Sequence, residues 1–305
     1  MKYVLTAKDL TKKYGRSVKA LDHFSIHIPQ GAIYGFVGEN GAGKTSFIRI
    51  VCGLQTATAG SYTLYDAKNT DRKMCDTRKR MGAVVETPSI YMDMTARDNL
   101  KQQYQILGMP SYDGIDELLK LVGLNDTGKK KARNFSLGMR QRLGIAIALA
   151  GNPDFLILDE PTNGLDPKGV IEIRELILKL NREQQITILI SSHNLDELSR
   201  LATHYGFIAN GRMIKEVEAK EVEMACRKCL VLTVTDTSII SHALDEMDYE
   251  YEIISDKIAK IYGEVPVSEL TLKLASENCY ITNMHEQAET LESYYINLVG
   301  GACHE

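Results

Sequence analysis

Residues 38–45 (GENGAGKT) have the composition and spacing of a phosphate-binding loop. Its glycines let successive backbone N–H groups turn toward phosphate oxygens, and a helix starting there adds about half a positive charge. We expect Lys44 to reach the outer phosphates and the hydroxyl of Thr45 to bind Mg²⁺. The pattern therefore predicts a cofactor-binding set comprising Gly38, Asn40, Gly41, Gly43, Lys44, Thr45 and Ser46.

Two acidic residues follow an apolar run that ends at Leu158. The carboxyl end of such a strand lies at the sheet edge where ligands of open α/β folds bind. We expect Asp159 to hold Mg²⁺ or its water, and Glu160 to act as the general base toward an attacking water, a role worth about 10² to 10⁴ in rate. An isolated Asp-Glu pair is commonly a solvated strand end, but the phosphate-binding loop favours the catalytic interpretation.

The neighbouring segments predict the elements that position these groups. Residues 32–37 form a short apolar run before the loop, and residues 44–51 have helical character, so strand, loop and helix follow in order. Residues 155–158 and 186–190 are continuous apolar runs, typical of strands buried on both faces of a parallel sheet. Between them, Asp166 followed by a proline predicts the start of a crossover helix.

The rest of the chain predicts further substructures. Residues 3–28 alternate between apolar and polar types, which indicates antiparallel strands, whereas residues 89–150 are mainly of helical character. An Asn210-Gly211 pair between apolar residues predicts a tight hairpin near the end of the first domain.

We predict two domains, residues 1–222 and 223–305. The second has the pattern of a small α+β domain without a catalytic constellation. Its final amphipathic segment could pack on its own domain or on a partner subunit.

The composition limits the class of protein. The chain has 305 residues, 44% of them hydrophobic and 25% charged, as in ordinary globular proteins, and its net charge of -4 argues against a nucleic-acid partner. No signal peptide and no apolar run of roughly 18 residues is visible, so we expect a cytoplasmic protein. The six cysteines are predicted to be reduced, and the CxxC of Cys226 and Cys229 lacks the second pair that a zinc site needs.

The order of these motifs resembles the ATPase family of ABC transporters over residues 3–217. Residues 135–141 (FSLGMRQ) look like the family signature, usually LSGGQ, with leucine at the first glycine and Met-Arg before the glutamine. Ser136 and Gly138 remain in register. In the family this segment starts a helix and covers the γ-phosphate held by the opposite subunit, so the resemblance adds both residues to the cofactor-binding set. Taken alone, the segment would be a plain helix start.

Three further residues receive roles from the same resemblance. Residues 163–166 (NGLD) look like the loop that couples the two sites across a dimer, which adds Asp166 to the cofactor-binding set. His193 occupies the place of the γ-phosphate switch histidine and Tyr14 that of the aromatic residue stacked on adenine. A lone histidine is usually structural and a strand tyrosine is usually packed, but these positions favour the functional roles.

Glu86 is the most informative departure from the family pattern. In residues 83–88 (AVVETP) the family normally carries a glutamine, in a loop that contacts both magnesium and the membrane partner. Glu86 therefore joins the predicted catalytic and metal-binding residues, and its extra negative charge predicts altered coupling between hydrolysis and transport. A neutral replacement is the alternative. The substitution and its surroundings resemble the bacitracin-exporter and lantibiotic-immunity branch.

The resemblance implies an α/β fold of the ABC type of P-loop NTPase. This fold has a mixed or parallel sheet core, an antiparallel β subdomain and a helical subdomain, here followed by the small α+β domain. It also implies ATP and Mg²⁺ as cofactors, a nucleotide-dependent dimer, and an integral-membrane permease that holds the protein at the inner face of the membrane. The expected activity is ATP hydrolysis that drives export of antimicrobial peptides. The alternatives are an exporter of another drug or lipid-like substrate, a resistance or sensor module with little flux, and a soluble ABC protein acting on ribosomes or DNA.

Overall fold

The structure is a computed structural model that describes residues 2–15, 18–263, 265–287 and 290–302. Contacts divide the chain into two compact units. Within the described residues, the first runs to Ala219 and includes residues 298–302, and the second comprises Lys220–Asn297. Val222, the predicted domain boundary, lies inside a helix that spans Ala219–Ala225.

The part of the first unit before Ala219 contains ten strands and seven α-helices within the described residues. In chain order they are β1 (Tyr3–Tyr14), β2 (Val18–Pro29), β3 (Ile33–Val37), α1 (Lys44–Val51), β4 (Ala59–Leu64), β5 (Ala67–Lys68), α2 (Met74–Arg78), β6 (Met81–Val84), α3 (Ala96–Leu107), α4 (Ile115–Leu121), α5 (Leu137–Leu149), β7 (Phe155–Asp159), α6 (Pro167–Gln184), β8 (Thr187–Ser192), α7 (Leu195–Ser199), β9 (His204–Ala209) and β10 (Arg212–Glu218).

A six-stranded sheet forms the centre of this unit, in the order β10-β9-β3-β8-β7-β6. Neighbouring strands are parallel except for the hairpin of β9 and β10. Every residue of β3, β7 and β8 is buried, which explains why these strands contain continuous apolar runs rather than an alternating pattern. The predicted mixed sheet core is confirmed.

A second sheet, antiparallel and ordered β2-β1-β4-β5, confirms the predicted antiparallel subdomain. It packs on the central sheet through three aromatic rings. Phe24 on β2, Phe36 on β3 and Phe47 on α1 have ring centroids 5.0 to 5.7 Å apart and are fully buried. Because Phe47 belongs to α1, this cluster fixes the helix that follows the phosphate-binding loop.

The helical subdomain consists of α3, α4 and α5, and two short 3-10 turns, Asn125–Thr127 and Ala132–Asn134, lie between α4 and α5. Its first helix begins with a cap, because the side chain of Thr95 accepts a hydrogen bond from the main-chain N–H of Asp98. A Cβ placed on Gly144 of α5 would lie 2.5 Å from Cβ of Pro88. This close approach packs α5 directly against the loop that carries Glu86.

The second unit has a ferredoxin-like split βαβ topology. The elements from Ala219 onward are α8 (Ala219–Ala225), β11 (Cys229–Val234), α9 (Thr237–Glu246), β12 (Tyr251–Ser255), β13 (Ile258–Tyr262), α10 (Val267–Ser276), β14 (Ile281–Gln287) and α11 (Leu291–Ala302).

Its four strands are ordered β12-β13-β11-β14, and all neighbours are antiparallel. The helices α9 and α10 contribute Ile240, Leu244, Leu270 and Leu274 to a core shared with β11 and β13. The predicted α+β class is confirmed. The sequence patterns did not identify α9, β12 or β14.

Two further findings concern membrane-spanning helices and disulfides in the described residues. None of the described helices combines the length and apolar character needed to cross a membrane. The five cysteines in the described part of the chain form no disulfide, whereas Cys303 lies outside that part.

Candidate active site

Four strands of the central sheet bring the predicted functional residues to one edge. The phosphate-binding loop follows β3, Glu86 follows β6, Glu160 follows β7 and His193 follows β8. These strands are mutually parallel, so their carboxyl ends lie on the same side of the sheet, where open α/β folds bind ligands.

The phosphate-binding loop is held by close backbone contacts that only glycine permits. Gly43 has a φ of 113°, and a Cβ there would lie 2.4 Å from the carbonyl oxygen of Ala20. A Cβ on Gly38 would lie 2.6 Å from the carbonyl oxygen of Ile208. The loop is therefore wedged between β2 and β9, whereas Asn40 and Gly41 are exposed at its tip.

Lys44 begins α1 and points back into the loop. Its Nζ donates hydrogen bonds of 2.6 Å to the carbonyl oxygen of Gly38 and 3.2 Å to that of Glu39. The residue is only 5% exposed, so the loop surrounds a buried cation. Such a charge favours an anion in the loop.

Thr45, Asp159 and Ser191 form a hydrogen-bonded cluster beneath the loop. The hydroxyl of Thr45 donates to Oδ2 of Asp159 at 3.0 Å, and the hydroxyl of Ser191 donates to Oδ1 at 2.5 Å. Asp159 is 1% exposed. A hydroxyl beside a carboxylate supplies the hard oxygen atoms that Mg²⁺ prefers, so these residues fit that cation.

Glu160 is oriented from three sides. Its main-chain N–H donates to the carbonyl oxygen and the hydroxyl of Ser191 at 3.1 and 3.0 Å. Its Oε2 lies 2.8 Å from Nδ1 of His193, and its Oε1 lies 3.5 Å from Nζ of Lys44. Among the described residues this Oε1 is buried without a hydrogen-bond partner. A carboxylate oxygen that accepts no hydrogen bond and lies next to the loop is placed to accept a proton from a bound water.

Tyr14 lies at the end of β1 beside the start of α1. Its hydroxyl donates to Oε1 of Gln55 at 2.5 Å and lies 3.4 Å from the hydroxyl of Ser46. The residue is 38% exposed, so part of its ring is open to solvent next to the phosphate-binding loop. Nζ of Lys12 lies over one face of this ring, 5.1 Å from its centroid, so the opposite face is the one that can stack on a base.

Glu86 binds a residue that the sequence patterns did not single out. Its Oε1 lies 2.7 Å from Nη2 of Arg49 in the last turn of α1. The side chain of Glu86 is 55% exposed, and its backbone has a φ of 57°. In this structure the carboxylate of Glu86 thus binds Arg49, whereas Thr45 and Asp159, the residues that fit Mg²⁺, bind each other.

Ser136, Gly138 and Asp166 lie together in a second cluster, at the starts of α5 and α6. Ser136 and Asp166 each cap a helix by accepting a 3.2 Å hydrogen bond from the main-chain N–H three residues later. A Cβ on Gly138 would be in ordinary contact, at 3.9 Å, with Leu165. The signature segment therefore packs on the loop that precedes Asp166.

Sequence reasoning missed two residues of the site, Ser191 and Arg49. Ser191 ends a run of apolar residues with a buried hydroxyl that binds both Asp159 and Glu160. A hydroxyl at the carboxyl end of a buried strand was a usable signal, because buried polar groups require partners. Arg49 carried no comparable signal, since its partner lies 37 residues away.

The fold and this site define a P-loop ATPase of the ABC type. The chain belongs to the ABC transporter family, whose model matches residues 21–163, and it is an ATP-binding, ATP-hydrolysing subunit. It is 40% identical to the bacitracin transport ATP-binding protein BcrA of Bacillus licheniformis, over 99% of both chains. It is 43% identical to the lantibiotic transport ATP-binding protein SrtF of Streptococcus pyogenes, over 70% of this chain and 91% of that one.

Solved structures of ATP-binding cassettes have the same fold. The cbiO1 protein of Clostridium perfringens, part of an ABC transporter complex, aligns with a TM-score of 0.66 and 28% identity, over 73% of this chain and 92% of that chain. The dimeric post-hydrolysis structure of the cassette MJ0796 bound to ADP and Pi aligns with a TM-score of 0.63 and 25% identity, over 70% of this chain and 98% of that chain.

Proposed function

We propose that this protein hydrolyses ATP to drive a membrane permease that removes antimicrobial peptides of the bacitracin or lantibiotic type. One observation carries the substrate class. The similarity to BcrA extends over 99% of both chains, and so includes the C-terminal unit as well as the ATPase unit. In this proposal the protein is peripheral at the inner face of the membrane and is held there by its permease.

In the proposed mechanism the residues of this chain position the triphosphate and the attacking water. Lys44 and the backbone N–H groups of residues 38–45 bind the outer phosphates, and Tyr14 stacks on the adenine. Glu160 takes the proton of the attacking water. His193, hydrogen-bonded to Glu160 at 2.8 Å, keeps that carboxylate oriented and can also bond a γ-phosphate oxygen.

Mg²⁺ is the proposed second cofactor. Thr45 and Asp159 would hold it, directly or through water, and Glu86 would join them once it leaves Arg49. When bound, the cation neutralises charge that develops on the phosphate oxygens.

A second copy of the chain would complete the site. Ser136 and Gly138 lie at the start of α5, a helix N-terminus suited to an anion. Here Ser136 caps its own helix by accepting from Met139 N–H, and Gly138 lies beside Leu165. In a head-to-tail dimer each signature segment would cover the γ-phosphate held by the other subunit, with Asp166 near the subunit boundary.

The permease would dock beside Glu86. A cleft of about 400 Å³ there is lined by Arg49, Leu54, Pro88 and Ile147 among other residues. Leu54 is 65% exposed, which leaves apolar surface next to an ion pair. A docked permease segment would therefore touch the loop that carries Glu86 and sense its position.

Deletion of the gene in its host tests this proposal. We expect the deletion to make growth more sensitive to bacitracin-type or lantibiotic peptides, and expression of the intact chain to restore protection. Lys44→Ala should not restore it, because the buried cation of the loop is lost. A non-peptide antibiotic is the control. Increased sensitivity to that drug alone, or to none of the compounds, would contradict the proposed substrate class.

A further inference from the structure

The ion pair between Arg49 and Glu86 joins two parts of the site that are distant in sequence. Arg49 lies in the last turn of α1, the helix that begins with Lys44 and Thr45, and Glu86 follows β6. Their charged atoms are 2.7 Å apart, and the two side chains are 34% and 55% exposed. The pair therefore links the phosphate-binding helix to the proposed coupling loop.

Arg49 is tied to the rest of the site through its main chain. Its carbonyl oxygen accepts hydrogen bonds from the N–H groups of Leu54 at 2.9 Å and Gln55 at 3.2 Å, and Gln55 in turn binds the hydroxyl of Tyr14. The main chain from which the guanidinium extends is thus held in place at the end of α1.

The carboxylate of Glu86 has two chemically suitable partners. One is the guanidinium that it binds here. The other is a divalent cation held at Thr45 and Asp159, because such cations take carboxylate oxygens as ligands. Ion pairs with this much solvent exposure are weak, so Arg49 can be exchanged for a stronger partner. A glutamine at position 86 could not form an ion pair, so the exchange depends on the carboxylate.

We propose that Arg49 is a positioning residue that holds Glu86 in a resting orientation, and that Glu86 exchanges Arg49 for the divalent cation when ATP binds. This inference rests on the proposed function, in which Glu86 is a metal ligand. The exchange would transmit the nucleotide-bound state of the phosphate-binding loop to the cleft beside Glu86, because the carboxylate changes its partner at that cleft.

Mn²⁺ binding tests the exchange without relying on turnover. Mn²⁺ is titrated by electron paramagnetic resonance into full-length Glu160→Gln protein loaded with ATP. Removing the competitor in Arg49→Gln should raise the apparent Mn²⁺ affinity about two- to fivefold, the range expected for loss of an exposed ion pair. In protein that also carries Glu86→Gln, the same Arg49→Gln change should have less than about a twofold effect, since no carboxylate is left to release.

Two further variants separate the exchange from general effects. Arg49→Lys keeps the charge but not the forked guanidinium, so its affinity should lie between those of Arg49 and Arg49→Gln. Arg97→Gln is the control, because it breaks another exposed arginine–carboxylate ion pair, with Asp116 of the helical subdomain. This variant should leave Mn²⁺ binding unchanged.

The outcomes distinguish the exchange of partners from the role of Glu86 as a metal ligand. An equal shift from Arg49→Gln in the Glu86 and Glu86→Gln proteins would overturn the exchange and leave Glu86 as a ligand. If Glu86→Ala, which removes both oxygens, does not change Mn²⁺ affinity, Glu86 is not a metal ligand, and both the exchange and that part of the proposed function are wrong.

Discussion

Two glutamates of the site have backbone conformations that glutamate rarely adopts. Glu86 has a φ of 57° and Glu160 a φ of 51°, and no other described glutamate has a positive φ. Left-handed residues cost roughly 1 to 2 kcal/mol each. The surrounding contacts maintain this strain at the two carboxylates that we assign to coupling and to catalysis, which is where strained residues tend to occur.

The phosphate-binding loop offers a matched pair of glycines for testing its geometry. In Gly43→Ala the new Cβ would lie 2.4 Å from the carbonyl oxygen of Ala20, at a φ of 113°. We expect loss of ATP binding and a stability loss of about 1 to 3 kcal/mol. Gly41→Ala, with a φ of 84° and no atom within 4 Å, should cost only the backbone strain, roughly 1 kcal/mol.

Binding of a fluorescent ATP analogue and urea denaturation measure both effects. Equal losses of ATP binding and of stability in the two variants would mean that the close contact between Gly43 and Ala20 does not determine the shape of the loop.

Some residues of the site were predictable from the sequence and others were not. Lys44, Thr45, Asp159 and Glu160 belong to short patterns whose chemistry follows from local spacing, and the structure brings all four together. Arg49 was unpredictable because its role depends on an ion pair that only the folded sheet creates.

At the level of elements, the hairpin of β9 and β10 braces the phosphate-binding loop. Its turn residue Gly211 donates from N–H to the carbonyl oxygen of Ala42 at 3.0 Å, and its own carbonyl oxygen accepts from N–H of Asp22 at 2.9 Å. Arg212 then binds Oδ2 of Asp22 at 2.6 Å. The Asn-Gly hairpin expected from sequence is present, but its contact with the loop was not foreseeable from local patterns.

The pair of Asp22 and Arg212 makes stability depend on pH in a defined direction. Hydrogen bonds from Arg212, and then Lys19, hold the pKa of Asp22 well below its usual range. A depressed pKa adds stability above the unfolded value, about 3.9, and that stability is lost as the pH falls through the lower folded value.

Urea midpoints of the intact protein and of Asp22→Asn, measured from pH 3 to 7, test this effect. The intact protein should be more stable at pH 7, and the difference should shrink below about pH 4. A difference that stays constant with pH would argue against the ionised pair.

At the level of the whole molecule, two units have separate cores. The ATPase unit buries the three phenylalanines around α1, whereas the C-terminal unit buries the residues between its sheet and two helices. The class of the second unit was predictable, but its strand order was not. β12 is largely exposed at a sheet edge and lacks the alternating pattern that identifies strands.

The most direct test of the central claim is ATP turnover by the full chain with Glu160→Gln. Glu160 has a buried oxygen that accepts no hydrogen bond, and its other oxygen binds His193, so its amide variant keeps the shape of the site but loses the base. We predict that ATP binding persists while turnover falls by about 10² to 10⁴. Unchanged turnover with intact ATP binding would contradict the account of how this ATPase works.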